Sequence, residues 1–245
     1  LTGSLLAGVA LGVLSTLALA ALFGVLSLQL RANVFVTGLA TNLLASGLTG
    51  VLAFRIFGNR GVMRFSIPSL PALRVPALQR IPLVGDLLIG HSFLAYASWA
   101  IVALAALVIY RTPFGLRLRA SGLGPRTLAS LGLRPRRYQM AGILISGLTC
   151  GLAGAGLTLA MSAFVPNITA GRGWIALVVI YLGNKNPLGI LVASFLFGLA
   201  ESLSNYAQGA INVPADFILA FPYLITVLAM IGYSAYHHHR SRRTG

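Results

Sequence analysis

The chain has 245 residues, of which 57% are hydrophobic and 9% charged, and its mean hydropathy is +0.88. A soluble domain of this size would lack the polar surface to cover its core, so the composition indicates an integral membrane protein. The formal charge of +15 does not mark a nucleic-acid binder, because the arginines lie between apolar runs and no basic soluble module carries them.

The first apolar run, 5–28, has the roughly 20 residues needed to cross hydrocarbon. Its Gly8 and Gly12 have the small-xxx-small spacing that lets a neighbouring helix approach. A short polar turn, Gln29–Asn33, makes the next run, 34–57, its antiparallel neighbour. This second span carries Thr37, Thr41, Asn42, Ser46 and Thr49. At about 100° per residue, Asn42, Ser46 and Thr49 fall in one narrow sector. Two readings stay open for this stripe: hydrogen bonding between helices, or the polar lining of a solute path.

Residues 58–90 contain Pro68, Pro71, Pro76 and Pro82 and so do not form one helix. They read as an extracytoplasmic loop, with Arg60, Arg64, Arg74 and Arg80 set against Asp86 alone. A third span, 91–110, has interfacial residues at both ends, and His91 reads as one of these rather than as a metal ligand. Arg111–Arg137 then holds seven arginines and no acid. By the positive-inside rule this segment, within a loop of 111–139, is cytoplasmic and orients the rest. Within it, Pro125–Leu131 reads as a short helix closed at Gly132.

A fourth span is expected at 140–163, where Gly147 and Gly151 again sit four apart. Val165–Gly173 breaks the helical pattern, and 169–183 reads as a broken helix crossing inward, its irregular start buried or lining a cavity. The next span, 187–206, carries Glu201, with Ser194 and Gly198 on the same face. A carboxylate at that depth needs a partner, such as Arg172, or a solute contact. The last span is 216–236, with Asp216 in its first turn where the helix dipole favours negative charge. The tail, with three adjacent histidines and Arg240, Arg242 and Arg243, would end in the cytoplasm.

The expectation is therefore an all-α polytopic membrane protein of about seven spans in a single domain, 1–245. Cys150 is the only cysteine and suits packing; no metal site is expected. A phosphate-binding P-loop needs a lysine after its glycines, and Lys185, the only lysine, follows Asn184. The chain is thus not expected to be an enzyme or to bind a cofactor, and any energy must arrive through another subunit.

Two runs carry a family likeness: YRTPFGLRLRASGLGPRTLASLGL and ITAGRGWIALVVIYLGNKNPLGILVASFLFGLAESL. With NVFVTGLATNLLASGLTGVL they resemble the permease subunits of bacterial ABC importers of the ribose and branched-chain amino acid type, most of all the simple-sugar and nucleoside branch. The likeness runs from about Arg31 to Ile231. It implies a location in the bacterial cytoplasmic (inner) membrane. The partners it implies are a second permease, identical or homologous, an ABC ATPase subunit that binds ATP and Mg, and an extracytoplasmic substrate-binding protein. It also implies that Pro125, Arg126, Leu128, Ala129, Leu131 and Gly132 form the helix that couples to the ATPase. Where the family often has Glu-Asn-Pro at the head of that helix, this chain has Leu123-Gly124-Pro125. The family's early spans would precede Leu1.

Combining the two readings, Thr41, Asn42, Ser46, Thr49, Thr169, Trp174 and Glu201 are the candidates for the substrate path. The expected cargo is a nucleoside or related small polar solute, with sugars and branched-chain amino acids as alternatives. A secondary carrier or passive channel is the rival from another class, in which the arginine loop only orients the protein.

Overall fold

A computed structural model describes residues 5–59, 61–65, 93–169 and 171–210, with the isolated positions 227 and 231. Apart from Val227 and Ile231, the expected span 216–236 lies outside the described residues. So do His91, Asp216, the histidine tail, Arg60 and the stretch 66–90 with Arg74, Arg80 and Asp86.

The regular secondary structure of the described residues is helical except for one short ladder. In order, the helices are α1 (Leu5–Gly24), α2 (Val34–Phe57), α3 (Phe93–Arg111), α4 (Pro113–Leu123), α5 (Pro125–Ser130), α6 (Pro135–Met161), α7 (Arg172–Leu182) and α8 (Pro187–Ala210). A single π-helical stretch, Val25–Gln29, extends α1. The ladder pairs β1 (Met63–Arg64) antiparallel with β2 (Ala163–Phe164). Among the described residues, Leu5–Gln29, Val34–Phe57 and Pro135–Met161 are each long and apolar enough to cross a membrane, and α3 with α4 makes a fourth if that bent pair is one span.

Local chemistry explains the boundaries. The Asn33 side chain accepts from the Phe35 and Val36 amides at 3.0 and 3.3 Å, capping α2. Gly58, at φ 66°, ends it in the left-handed conformation. Prolines stand at the first turn of α4, α5 and α6, where a missing N–H costs nothing. The α4 helix was not expected: Gly115, Gly122 and the interleaved arginines hide its apolar face. Its start is nonetheless written in Thr112-Pro113, with Thr112 Oγ1 accepting from the Gly115 amide at 3.2 Å. Between α3 and α4 the axis turns by 78°.

The chain divides into two compact units. In the first, α1 and α6 are antiparallel: Gly24 meets Met140, Gly147 meets Ala20, and Gly151 meets Thr16 and Val13. A Cβ at Gly147 or Gly151 would collide with α1, which is the physical reason for glycine there. The antiparallel register brings the turn after α1, with Arg31, to the same end as the start of α6. The strands β1 and β2 lie at the other end of α6.

The second unit contains the hairpin of α7 and α8. Gly183 and Gly189 lie so close that a Cβ on either would strike the other helix's backbone. Asn184 and Lys185, at φ 51° and 57°, reverse the chain, and Asn186 Oδ1 accepts from the Leu188 amide at 3.2 Å. Val179, Ala193 and Phe197 form the buried seam. The 11 residues of α7 make about 16 Å, roughly half of a hydrocarbon layer, so α7 alone does not make the crossing expected for 169–183. It also starts at Arg172 rather than near Thr169, because Gly171 at φ 81° is left-handed.

Gly151→Leu should push α1 off α6 at a cost of about 1–3 kcal/mol or more, seen as a lower melting temperature of the detergent-solubilised protein. Gly154→Leu, where a Cβ meets nothing within 4 Å, should leave it nearly unchanged.

Candidate functional site

Three groups of residues stand out for function. The first is the short helix α5. Gly124, where the helix is interrupted at φ −147° and ψ 69°, and Gly132, at φ 76°, bound it. Leu128 is buried at 4% exposure, and its amide bonds to Gly124 O at 3.1 Å. It faces the chain's own interior. Pro125, Arg126 and Ala129 are exposed, as are Leu131 and Gly132. Two large apolar side chains bracket the helix on its outer side: Leu123 at 91% exposure and Leu131 at 73%. The segment is braced from behind by Gln139 Nε2, which donates to Ser121 O at 2.9 Å, while Ser121 itself is buried.

Two of the arginines near α5 are held by tyrosines and not by acids. Arg119 lies 4.9 Å from the Tyr110 ring centre, and Arg117 Nη1 approaches Tyr138 Oη at 3.4 Å. Among the described residues, none of the seven arginines in 111–137 forms an ion pair.

The second group is the polar stripe of α2, which lies in the first compact unit. Asn42, Ser46 and Thr49 are exposed on this chain, whereas Thr41 is half-buried. Thr41 Oγ1 donates to Thr37 O at 2.8 Å and Thr49 Oγ1 to Ala45 O at 2.6 Å. Both hydroxyl protons are therefore satisfied within the helix. Asn42 and Ser46 have no side-chain hydrogen bond among the described residues, which leaves their polar atoms available.

The third group is the cleft between α7 and α8 in the second unit. Arg172 Nη2 meets Glu201 Oε1 at 2.6 Å, with the side chains 45% and 42% exposed. Beside this pair lies a cavity of about 390 Å³. Ile175, Val179, Ile190 and Phe197 supply apolar wall, and Ser194 and Gly198 join Glu201 on the α8 side. The α8 spacing noted in the sequence places those three together. Thr169 and Trp174 do not line the cavity. Trp174 lies about 200° around the helix from Arg172 and is 56% exposed on the other side. Thr169 contributes its carbonyl to the Arg172 amide at 2.7 Å. Sequence reasoning missed Phe197 as a lining residue, since in an apolar run nothing distinguishes it from its neighbours.

Among the described residues no group of three or more His, Cys, Asp and Glu is arranged to hold a metal ion. Lys185 lies in the α7–α8 turn, 5.7 Å from the Tyr181 ring.

Comparison with known proteins gives this geometry a context. Residues 1–230 match the family described as branched-chain amino acid transport system, permease component. The chain is 32% identical over 232 residues to a nucleoside ABC transporter permease protein of Lactococcus lactis subsp. cremoris, covering 93% of this chain and 71% of that one. It is 33% identical over 240 residues to a guanosine ABC transporter permease protein of Bacillus subtilis, covering 94% and 72%. A putative glucose ABC transporter permease protein of Haloferax volcanii is 32% identical over 212 residues, covering 84% and 63%. No solved structure matches the chain. Membrane-length helices, a family match over nearly the whole length and several relatives above 30% identity lead to one conclusion: the chain belongs to the branched-chain amino acid transport system permease family and is a multi-pass membrane subunit of an ABC transporter, a transport component rather than an enzyme.

Proposed function

We propose that this permease takes up a nucleoside across the bacterial cytoplasmic membrane, driven by ATP that a separate ATPase subunit binds with Mg. Two of the three relatives compared are named for nucleoside or guanosine transport, and that naming supports the cargo. The observation that carries the coupling role is α5, a short helix with apolar side chains facing outward at both ends and its own Leu128 turned inward. A surface leucine at 91% exposure, in a segment whose arginines form no ion pair among the described residues, suits a protein groove with acidic margins.

The α1–α6 register supports one orientation. Arg31 and the arginines 134, 136 and 137 come to one end, and that end is read as cytoplasmic. The β1–β2 ladder is then extracytoplasmic, where a binding protein would deliver the solute. The C-terminal tail, with Arg240, Arg242 and Arg243, is read as cytoplasmic by the same charge rule. A second permease, identical or homologous, completes the translocation path, to which α2 contributes Asn42 and Ser46. Thr41 and Thr49 are weaker members because their hydroxyl protons are already engaged.

The burial of Leu128 changes how the coupling surface is tested. Leu131→Asp combined with Ala129→Arg should cut ATPase copurification and uptake by about tenfold or more, as expected for loss of an interface anchor, while the permease stays in the membrane. Leu128→Arg should instead lower the amount of folded protein. Unchanged copurification and uptake in the Ala129/Leu131 variant would remove α5 as the docking element.

For the path, Asn42→Leu should reduce uptake by about tenfold with ATPase binding intact; full uptake would return Asn42 to a packing role. Cargo is decided by uptake of guanosine, ribose and leucine into proteoliposomes holding the permease, its ATPase and its binding protein. A sugar is the second reading, favoured by the Haloferax relative, and ribose uptake without guanosine uptake would establish it.

A further inference from the structure

The cleft between α7 and α8 has features that packing does not explain. Glu201 is the only carboxylate among the described residues. It sits on a helix that is apolar over most of the residues before it and turns polar after it, at Ser202, Ser204 and Asn205; a charge within such a span is retained at a cost and marks function more often than structure. It is not sealed away against Arg172: both side chains remain close to half exposed beside the cavity. Glu201 Oε1 accepts a hydrogen bond from Arg172 Nη2, and the other carboxylate oxygen has no hydrogen-bond partner among the described residues.

We propose that this cleft is a solute-contact site, in which the Arg172–Glu201 pair binds the hydroxyls of a ribose ring and the apolar wall receives the base. The proposal rests on the nucleoside reading given above. The cavity, about 390 Å³, lies within the roughly 300–1,000 Å³ usual for small-molecule sites, and it has their make-up of apolar wall with a few convergent polar groups. A carboxylate accepts from two neighbouring hydroxyls at once, and a guanidinium donates to hydroxyl or ring oxygens, so the pair offers both halves of what a diol needs. Ile175, Val179 and Phe197 provide the flat, greasy surface that a heterocycle prefers to water.

The arrangement also limits what the cleft accepts. A free amino acid would bring its own ammonium and carboxylate into competition with an existing ion pair. A purely apolar solute would leave the pair without new partners. A neutral solute with adjacent hydroxyls adds hydrogen bonds to the pair and does not have to break it.

The test uses the whole importer, reconstituted with its ATPase and binding protein. Glu201→Gln and Arg172→Gln should each lower guanosine uptake at limiting concentration roughly 10–100-fold, the size of a lost charge-assisted hydrogen bond, chiefly through KM. The exchange Arg172→Glu with Glu201→Arg rebuilds the ion pair with its ends reversed. It should regain the thermal stability lost in the single variants but not the uptake. Recovery of uptake in the exchange variant would make the pair a structural clasp and overturn the proposal.

Independently of those variants, Ser194→Cys in a Cys150→Ala background should react with a small maleimide at a rate that saturating guanosine slows about fivefold or more. A rate indifferent to guanosine, in a complex that transports guanosine, would overturn this site alone, and it is the result expected if another helix covers the cleft. Absence of guanosine uptake in the unmodified importer would overturn the nucleoside reading and this proposal with it.

Discussion

In hydrocarbon no water is available to bond a peptide group, so each crossing segment of this chain has to be a helix that satisfies its own backbone. The same solvent removes the usual reason for helices to associate, because lipid tails are as apolar as leucine. What remains is close packing. Gly147 and Gly151 bring α6 against Val13, Thr16 and Ala20 of α1, and Gly24 of α1 receives Met140 of α6. Once that register is set, the turn carrying Arg31 and the arginine-rich start of α6 must share one end of the unit, and the β1–β2 ladder the other. Which segments share an end is thus a consequence of three close-packed glycines.

The cytoplasmic-type segment is built as a brace. The 78° turn at Thr112-Pro113 takes α4 off the axis of α3. Gly115 allows it to press against the Val108 and Ile109 backbone, and Leu118 packs by Gly142 of α6. The burial of Leu128 and the bond from Gln139 to Ser121 then anchor α5 to the same framework. These contacts tie α5 to α6 across the breaks at Gly124 and Gly132. That brace depends on neutral contacts, which salt does not screen, more than on the surrounding arginines.

Polar groups in the described spans fall into two energetic classes. Thr37, Thr41, Thr49, Thr149, Thr158 and Ser194 return their hydroxyl protons to a carbonyl three or four residues back, which removes their cost in an apolar setting. Asn42 and Ser46 do not have that solution among the described residues, and neither does Glu201 beyond its pairing with Arg172. An ion pair this exposed is worth about 0–1 kcal/mol in water. Stability is therefore a weak reason for it to stand beside a cavity, and contact with a polar solute is the stronger one.

The membrane class, the helical runs and the family likeness were legible in the sequence because each depends on local composition: lengths of apolar residues, prolines at first turns, and an unusual motif around Thr169–Gly183. The partnership of Glu201 with Arg172 was also within reach, since few charges exist to pair. The α4 helix was not legible, because its face is made of glycine, serine and leucine between arginines and shows no clean period until α6 is there to cover it. The inward turn of Leu128, the outward turn of Trp174 and the part taken by Phe197 were equally hidden. A residue's type says whether it can be buried, but in a chain this apolar nearly every residue can. Which ones are buried was decided only when neighbouring helices met, since that choice is a property of the contact and not of the residue.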